Sequence, residues 1–425
     1  MKRRSFLTAV GATGAAATLA ACGGDTKPSG DGGGAELTPE TTGELTMFYW
    51  DKNQTPTVDA NIKRFNEKYP KIKVTTSIAA YKDYWTKLRT QAEGDQLPDV
   101  FWMNGPNIQL YASNGMLATL DDVKDVDWGN YPKALVDLYT VESKHYGIPK
   151  DYDTIAVFAN KKLFADANVE LPTDGWTWEQ HNDAARKIAA TGVYGLVSTI
   201  GSADGQGTYY NTIAQAGGYV IKDGKSGFGQ PEAIRGLKFW SDLVAEGTIP
   251  SLQVMSDTTP TDLFANGKAG MFWAGSWMVA AFAEQMASLD DVIVLPLPQD
   301  KQKGTIIHGL SYVASAKSKN MAAAKALVTA MTTKESAEAE AANGTAIPAF
   351  NGTQQAWVDG KPGMQLDVFT KGAEEYSVAY PVSKNTAAWN DLETQLLPDA
   401  FAGKTPMEET AKKLAEQMDA LLAKE

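Results

Sequence analysis

The 425-residue chain holds one cysteine, Cys22, so no disulfide within it can staple the fold. Histidine is almost as scarce. His145, His181 and His308 stand far apart and lack His-Glu-x-x-His spacing, which argues against a zinc hydrolase. Neither a Gly-x-Ser-x-Gly nucleophile elbow nor a P-loop occurs. Basic residues are in deficit, 39 Lys and Arg against 51 Asp and Glu, for a formal net charge of -12. That balance argues against nucleic acid and against docking on anionic lipid. Past Cys22 no apolar run approaches the roughly 20 residues that a membrane-spanning helix needs.

What is present begins at the amino terminus. Lys2, Arg3 and Arg4 precede an apolar, alanine-rich run over 6–21 that ends in Leu19-Ala20-Ala21-Cys22. Residues 23–39 are a Gly/Ser/Asp/Pro stretch that cannot bury a core. The order is secretory signal, small-residue cleavage site, tether. It resembles a bacterial lipoprotein leader with its lipobox. The resemblance implies cleavage before Cys22 and acyl chains such as palmitate on its thiol and new amino terminus. The body would then be held outside the cytoplasmic membrane by lipid alone, with more than one chain for stable anchoring. Arg3-Arg4-Ser5-Phe6-Leu7 looks like a twin-arginine signal, but arginine pairs also occur in ordinary signal peptides, so the export route stays open. Losing 1–21 removes three positive charges and no negative ones, which leaves -15.

About 385 ordered residues are too many for one typical core, so two domains are expected. Short apolar strands alternate with amphipathic helices, which predicts an α/β chain with largely parallel sheets. A strand over 44–50, a helix over 57–69, a strand over 73–78, a helix over 81–94 and a strand over 99–102 form a βαβαβ unit. Ligands gather at the carboxyl ends of such strands. Trp50, Asp51, Lys52 and Asn104 fall there. A second α/β body is expected over roughly 155–304. The last quarter is expected to be helical.

Nine ordered landmarks then carry a resemblance. They are Tyr49-Trp50-Asp51-Lys52; Leu97-Pro98-Asp99-Val100-Phe101-Trp102; Tyr111 with Gly115-Met116-Leu117 and Leu120-Asp121; Tyr146-Gly147-Ile148-Pro149; and Asn160-Lys161-Lys162-Leu163-Phe164. Trp176-Thr177-Trp178-Glu179, then Phe264 through Met271, then Gly275-Ser276-Trp277 and finally Ser318-Lys319-Asn320 complete the set. Over nearly the whole mature chain the sequence resembles the extracellular solute-binding proteins of ABC importers, in the sugar-carrying subgroup. The resemblance implies a two-lobed periplasmic-binding-protein-like fold, type II-like, with the ligand in an interlobe cleft. Its domains would be a signal peptide (1–21), a lipidated tether (22–42), lobe 1 (43–153 plus 305–348) and lobe 2 (154–304 plus 349–425). Hinge crossings would lie near 151–154, 304–309 and 347–352. It also implies partnership with a membrane permease and its ATPase, and a monomer. No cofactor, metal or nucleic acid is expected.

A sugar offers apolar C–H faces to aromatic rings and hydroxyls to polar side chains. The chain has 11 Trp, 16 Tyr and 14 Phe. Trp277, flanked by small Gly275 and Ser276, is the expected stacking residue. Trp389 on the late helix and Tyr209 or Tyr210 after a glycine-rich loop are further candidates. Asp51 and Lys52 after the first strand and Asp153 at the hinge are candidate polar contacts. Trp50, Trp102, Asn104 and Gly309 complete the expected site. Trp85, Trp176, Trp178 and Trp240 read as packing. Two rival readings remain. One is a secreted carbohydrate hydrolase, which needs two carboxylates across the scissile bond. The other is a solute-binding protein for a polyamine, peptide or glycerol phosphate.

Overall fold

A computed structural model describes residues 37–201 and 205–425. The expected signal, lipobox and most of the tether, including Cys22, lie outside the described residues.

The first strand, β1 (Gly43–Tyr49), alternates exposed and buried residues until Met47, after which every side chain is buried. Pro56 opens α1 (Thr55–Lys68), where a missing N–H costs nothing, and Pro70 stands just beyond its end. Strand β2 (Ile72–Ile78), helix α2 (Tyr81–Glu93), strand β3 (Val100–Asn104) and helix α3 (Gly105–Ser113) follow. β1 pairs in parallel with both β2 and β3. All five residues of β3 are buried, as a central strand requires.

The larger sheet runs Ile347–Pro348, Gly147–Asp153, Thr305–Ala314, β3, β1, β2, with Ser377–Ala379 also paired to Thr305–Ala314. The smaller sheet runs Val292–Leu295, Ile155–Asn160, Ala269–Gly275, Tyr194–Val197. Each sheet is the spine of one lobe. Both are mixed rather than largely parallel. Gly147–Asp153 and Thr305–Ala314 lie antiparallel to each other, and Thr305–Ala314 also lies antiparallel to β3. The reason is topological. The chain leaves the larger sheet along Gly147–Asp153 and comes back along Thr305–Ala314, so outgoing and returning strands run in opposite directions.

Thr154 separates the outgoing strand from Ile155–Asn160. Thr305, at the return, donates its hydroxyl to the Ile155 carbonyl (3.0 Å) and accepts the Ile155 N–H (2.8 Å). A third passage comes later than its sequence suggests. After Pro348 the helix Gln355–Asp359 still packs on Lys334–Asn343. The smaller sheet is met at Met364, whose carbonyl accepts the N–H of Val294 (2.7 Å). The helix Thr386–Phe401 packs on α3 of the first lobe and on Pro231–Ala245 of the second.

The second lobe's core is aromatic. Trp273 meets Trp240 at 5.0 Å and Phe239 at 5.5 Å, and its indole donates to His181 Nε2 (3.1 Å). Burial pushes the His181 pKa down to about 4, so a neutral ring accepts that bond. Trp176, Trp178 and Trp240 are buried in this lobe. Trp178 opens a helix capped by Thr177 and Gln180 in a reciprocal capping box.

Candidate functional site

The carboxyl ends of β1 and β3 and the hinge strands converge on one rim. Leu310 faces Asn104 on one side and Asp151 on the other, and His308 faces Asp153. Across the lobe boundary Gly275 pairs with Ile155, the residue after Thr154. Ser276 donates its hydroxyl to Asp153 Oδ1 at 2.5 Å. The Gly-Ser-Trp segment of lobe 2 therefore sits against the hinge end of lobe 1.

Trp277 is 40 % exposed, a high value for so large an apolar side chain. Its ring lies over Gly275, where an added Cβ would come within 1.9 Å of it. That glycine is what allows the indole to lie against the backbone and present its face outward.

On lobe 1, Trp50 is half-buried and meets Tyr81, Tyr84, Trp85 and Trp102 with ring centroids 4.9–5.8 Å apart. These are edge-on and tilted contacts, the favourable aromatic geometries. Tyr81 is 54 % exposed and its hydroxyl accepts a hydrogen bond from Asn104 Nδ2 (3.2 Å). Sequence reading treated Tyr81 only as a helix start. The available signal was its position at the mouth of α2, one turn ahead of the buried face that begins at Tyr84. Asp51 caps the short turn Lys52–Gln54 by accepting the Asn53 N–H (2.9 Å), and Lys52 is exposed.

Asp153 is half-buried. Burial first, and the charge of Asp151 second, push its carboxyl up to about 7, against the Ser276 hydrogen bond and the attraction of Lys150. Burial likewise pushes the His308 pKa down to about 4, and the ring's Nε2 accepts the Gly105 N–H (3.0 Å) at the start of α3.

Several expected contacts sit elsewhere. Trp389 is wholly buried and donates its indole N–H to Ser383 (3.0 Å), so it offers no face to a ligand in this conformation. Tyr209 and Tyr210 are each 1 % exposed, and both hydroxyls donate to Glu393. Trp102 is buried between Tyr49, Trp50 and Tyr312, where it supports the rim from beneath. Asn104 is buried and bonded to Tyr81 and Asn107, so it orients the rim. Gly309 answers a steric need, since a Cβ there would lie 2.2 Å from the Asp151 carbonyl. The rim thus brings together Trp50, Asp51, Lys52, Asp153 and Trp277, with Tyr81 and Ser276 added. Among the described residues no cluster of His, Cys, Asp and Glu could hold a metal ion. Among the same residues no helix is long and apolar enough to cross a membrane.

The family model of the bacterial extracellular solute-binding proteins matches residues 51–338. The chain belongs to that family. The diacetylchitobiose binding protein of Streptomyces coelicolor is 27 % identical over 335 residues, 76 % of each chain. The galactooligosaccharide-binding protein of Bacillus subtilis is 25 % identical over 344 residues, 78 % of this chain and 77 % of its own. Among solved structures, an ABC substrate-binding protein of Listeria monocytogenes in complex with cycloalternan matches with a TM-score of 0.81 and 26 % identity. That match covers 90 % of this chain and all of the other. These relatives are binding proteins.

Proposed function

We propose that this solute-binding protein captures a sugar or oligosaccharide between its lobes and hands it to a membrane permease of an ABC importer, without making or breaking bonds. The observation that carries the reading is the exposed Trp277, seated by Gly275 beside Asp153, with an aromatic rim of Trp50 and Tyr81 on the other lobe. Exposed rings on both lobes, with Asp153 beside Trp277's segment and Asp51 next to Trp50, suit a pyranose, whose faces are apolar and whose edges are hydroxyls. The named relatives bind diacetylchitobiose, galactooligosaccharide and cycloalternan, which supports the oligosaccharide class. The acidic Asp51 and Asp153 at the rim disfavour phosphate esters and uronates.

Ligand contact with both lobes would shift the population toward a closed form. Lipid on Cys22 would keep that form near its permease.

The test is thermal denaturation of the protein lacking residues 1–22 against diacetylchitobiose, galactooligosaccharides, maltooligosaccharides and cyclic glucans. A true ligand raises the midpoint by mass action. Incubation with the same sugars should release no product. Product release would favour a hydrolase, and a shift with polyamine or phosphate ester in place of sugar would overturn the ligand class.

A further inference from the structure

Lys150 is 4 % exposed, in the middle of the strand that leads into the hinge. The pairing of Gly147–Asp153 with Thr305–Ala314 slips at this point: Leu310 faces Asp151, while Ser311 faces Pro149. Lys150 is therefore the extra residue of a β-bulge, a device that re-aims a side chain. Its ammonium donates to Gln54 Oε1 (2.6 Å), Asp151 Oδ2 (2.6 Å) and Glu340 Oε1 (3.2 Å), and lies 4.6 Å from the centre of the Trp102 ring. An ammonium has three protons, and all three are used.

The three acceptors belong to three separate parts of lobe 1. Gln54 ends the turn that follows β1, and its amide donates to Asp51 Oδ2 (3.3 Å). The second oxygen of Asp151 accepts the Leu310 N–H (2.9 Å) on the returning hinge strand. Glu340 lies on the helix Lys334–Asn343. Burial opposes the lysine's charge, and Asp151 and Glu340 more than offset it, holding the amine above its usual range. A buried ion group of this kind commonly adds little net stability compared with apolar residues of similar volume. Its geometric consequence is a fixed relation between the parts it joins.

We propose that Lys150 is a positioning residue for ligand capture, tying the Asp51 turn to the two hinge strands so that the turn is already set when sugar arrives. It reaches the ligand only through Gln54 and Asp51. This inference rests on the sugar-capture reading, but its main test does not need a ligand. Lys150→Met, Gln54→Leu and the double variant are compared by hydrogen exchange of the ligand-free protein. In each single variant the amides over 51–55 exchange at least about tenfold faster, and the double is no faster than the faster single. Exchange in Ile155–Asn160 stays as in the parent. Unchanged exchange over 51–55 in Lys150→Met, or effects that multiply in the double, would overturn the proposal.

If Lys150→Met does not melt cooperatively, Lys150→Met/Asp151→Asn/Glu340→Leu removes the ammonium and both carboxylates it faces together and takes its place in the same comparison. A second readout separates positioning from bulk stability. For any sugar of the panel that binds the parent, affinity falls at least about tenfold in Lys150→Met/Asp151→Asn/Glu340→Leu while the ligand-free midpoint stays within a few degrees. Retained affinity with a loosened turn would overturn the link to capture. If the parent binds no panel sugar, the functional reading fails, and the exchange experiment still decides whether Lys150 holds the turn.

Discussion

Trp277 and Trp389 are the same residue in similar company, and both were candidate platforms from sequence. One is 40 % exposed and the other is fully buried. Composition and local spacing do not separate a ring facing a cleft from one facing a core, because the burying partners come from distant segments. The glycine two positions before Trp277 was the legible difference. Trp277→Ala should therefore weaken sugar binding about ten- to a hundredfold, the loss of roughly 1.5–3 kcal/mol of aromatic burial, with the ligand-free melting curve unmoved. Titration calorimetry and scanning calorimetry check the two halves of that statement. Trp389→Ala should instead lower stability by about 3–5 kcal/mol, seen as an earlier denaturant midpoint. Asp153 has a pH signature. Its carboxyl titrates near 7 in the folded state and near 3.8 when unfolded, so the folded form holds the proton more tightly. Its contribution to stability is complete below about pH 4 and is lost as pH rises through about 7. Asp153→Asn should flatten that part of the stability–pH curve, measured by urea denaturation across the window. The opposite slope in the parent, or no change in the variant, would remove Asp153 from the half-buried position facing Asp151 described here.

At the scale of elements, the helices and strands of the first βαβαβ unit were legible to within two residues at most ends, because proline, glycine and apolar spacing mark them. A hinge crossing was expected near 151–154, but not the buried strand Gly147–Asp153 that leads to it. Asp153 was expected as a ligand contact, and nothing in the local sequence marks Lys150 and Asp151 as buried. In the fold Lys150 and Asp151 sit at a bulge where the ammonium and the carboxylates of Asp151 and Glu340 satisfy one another. The partners, Gln54 and Glu340, are 96 and 190 residues away, beyond any local pattern. Gly309 shows the same limit. Its position in the chain suggested ligand, while its function is to let two strands approach. Gly309→Ala would set a Cβ against the Asp151 carbonyl, where the nearest atoms are all backbone of Asp151 and Tyr152 and no flexible side chain can yield. A loss of about 1–3 kcal/mol is expected in chemical denaturation. An unchanged midpoint would mean that the strands separate freely at the bulge.

Across the whole molecule, order of motifs was more informative than any one of them. Nine short segments in sequence identified the family, and a two-lobed α/β architecture follows from it. Mixed sheets and the late third passage near Met364 were not legible, because they depend on which lobe each returning segment joins. The leader makes a prediction of its own. Cys22→Ser should move the mature protein from the membrane fraction to the medium or periplasm, with sugar binding intact. Retention of that variant in the membrane would contradict anchoring through Cys22. The central claim is that both lobes grip one carbohydrate. Its most direct measurement is a crystal structure of the protein with the sugar that raises its melting point most. A ring stacked on Trp277, with hydroxyls bonded to Asp153 and to the Asp51 turn beside Trp50 and Tyr81, is the predicted result. Sugar density on an outer face of either lobe, with the Trp277 face empty, would contradict it.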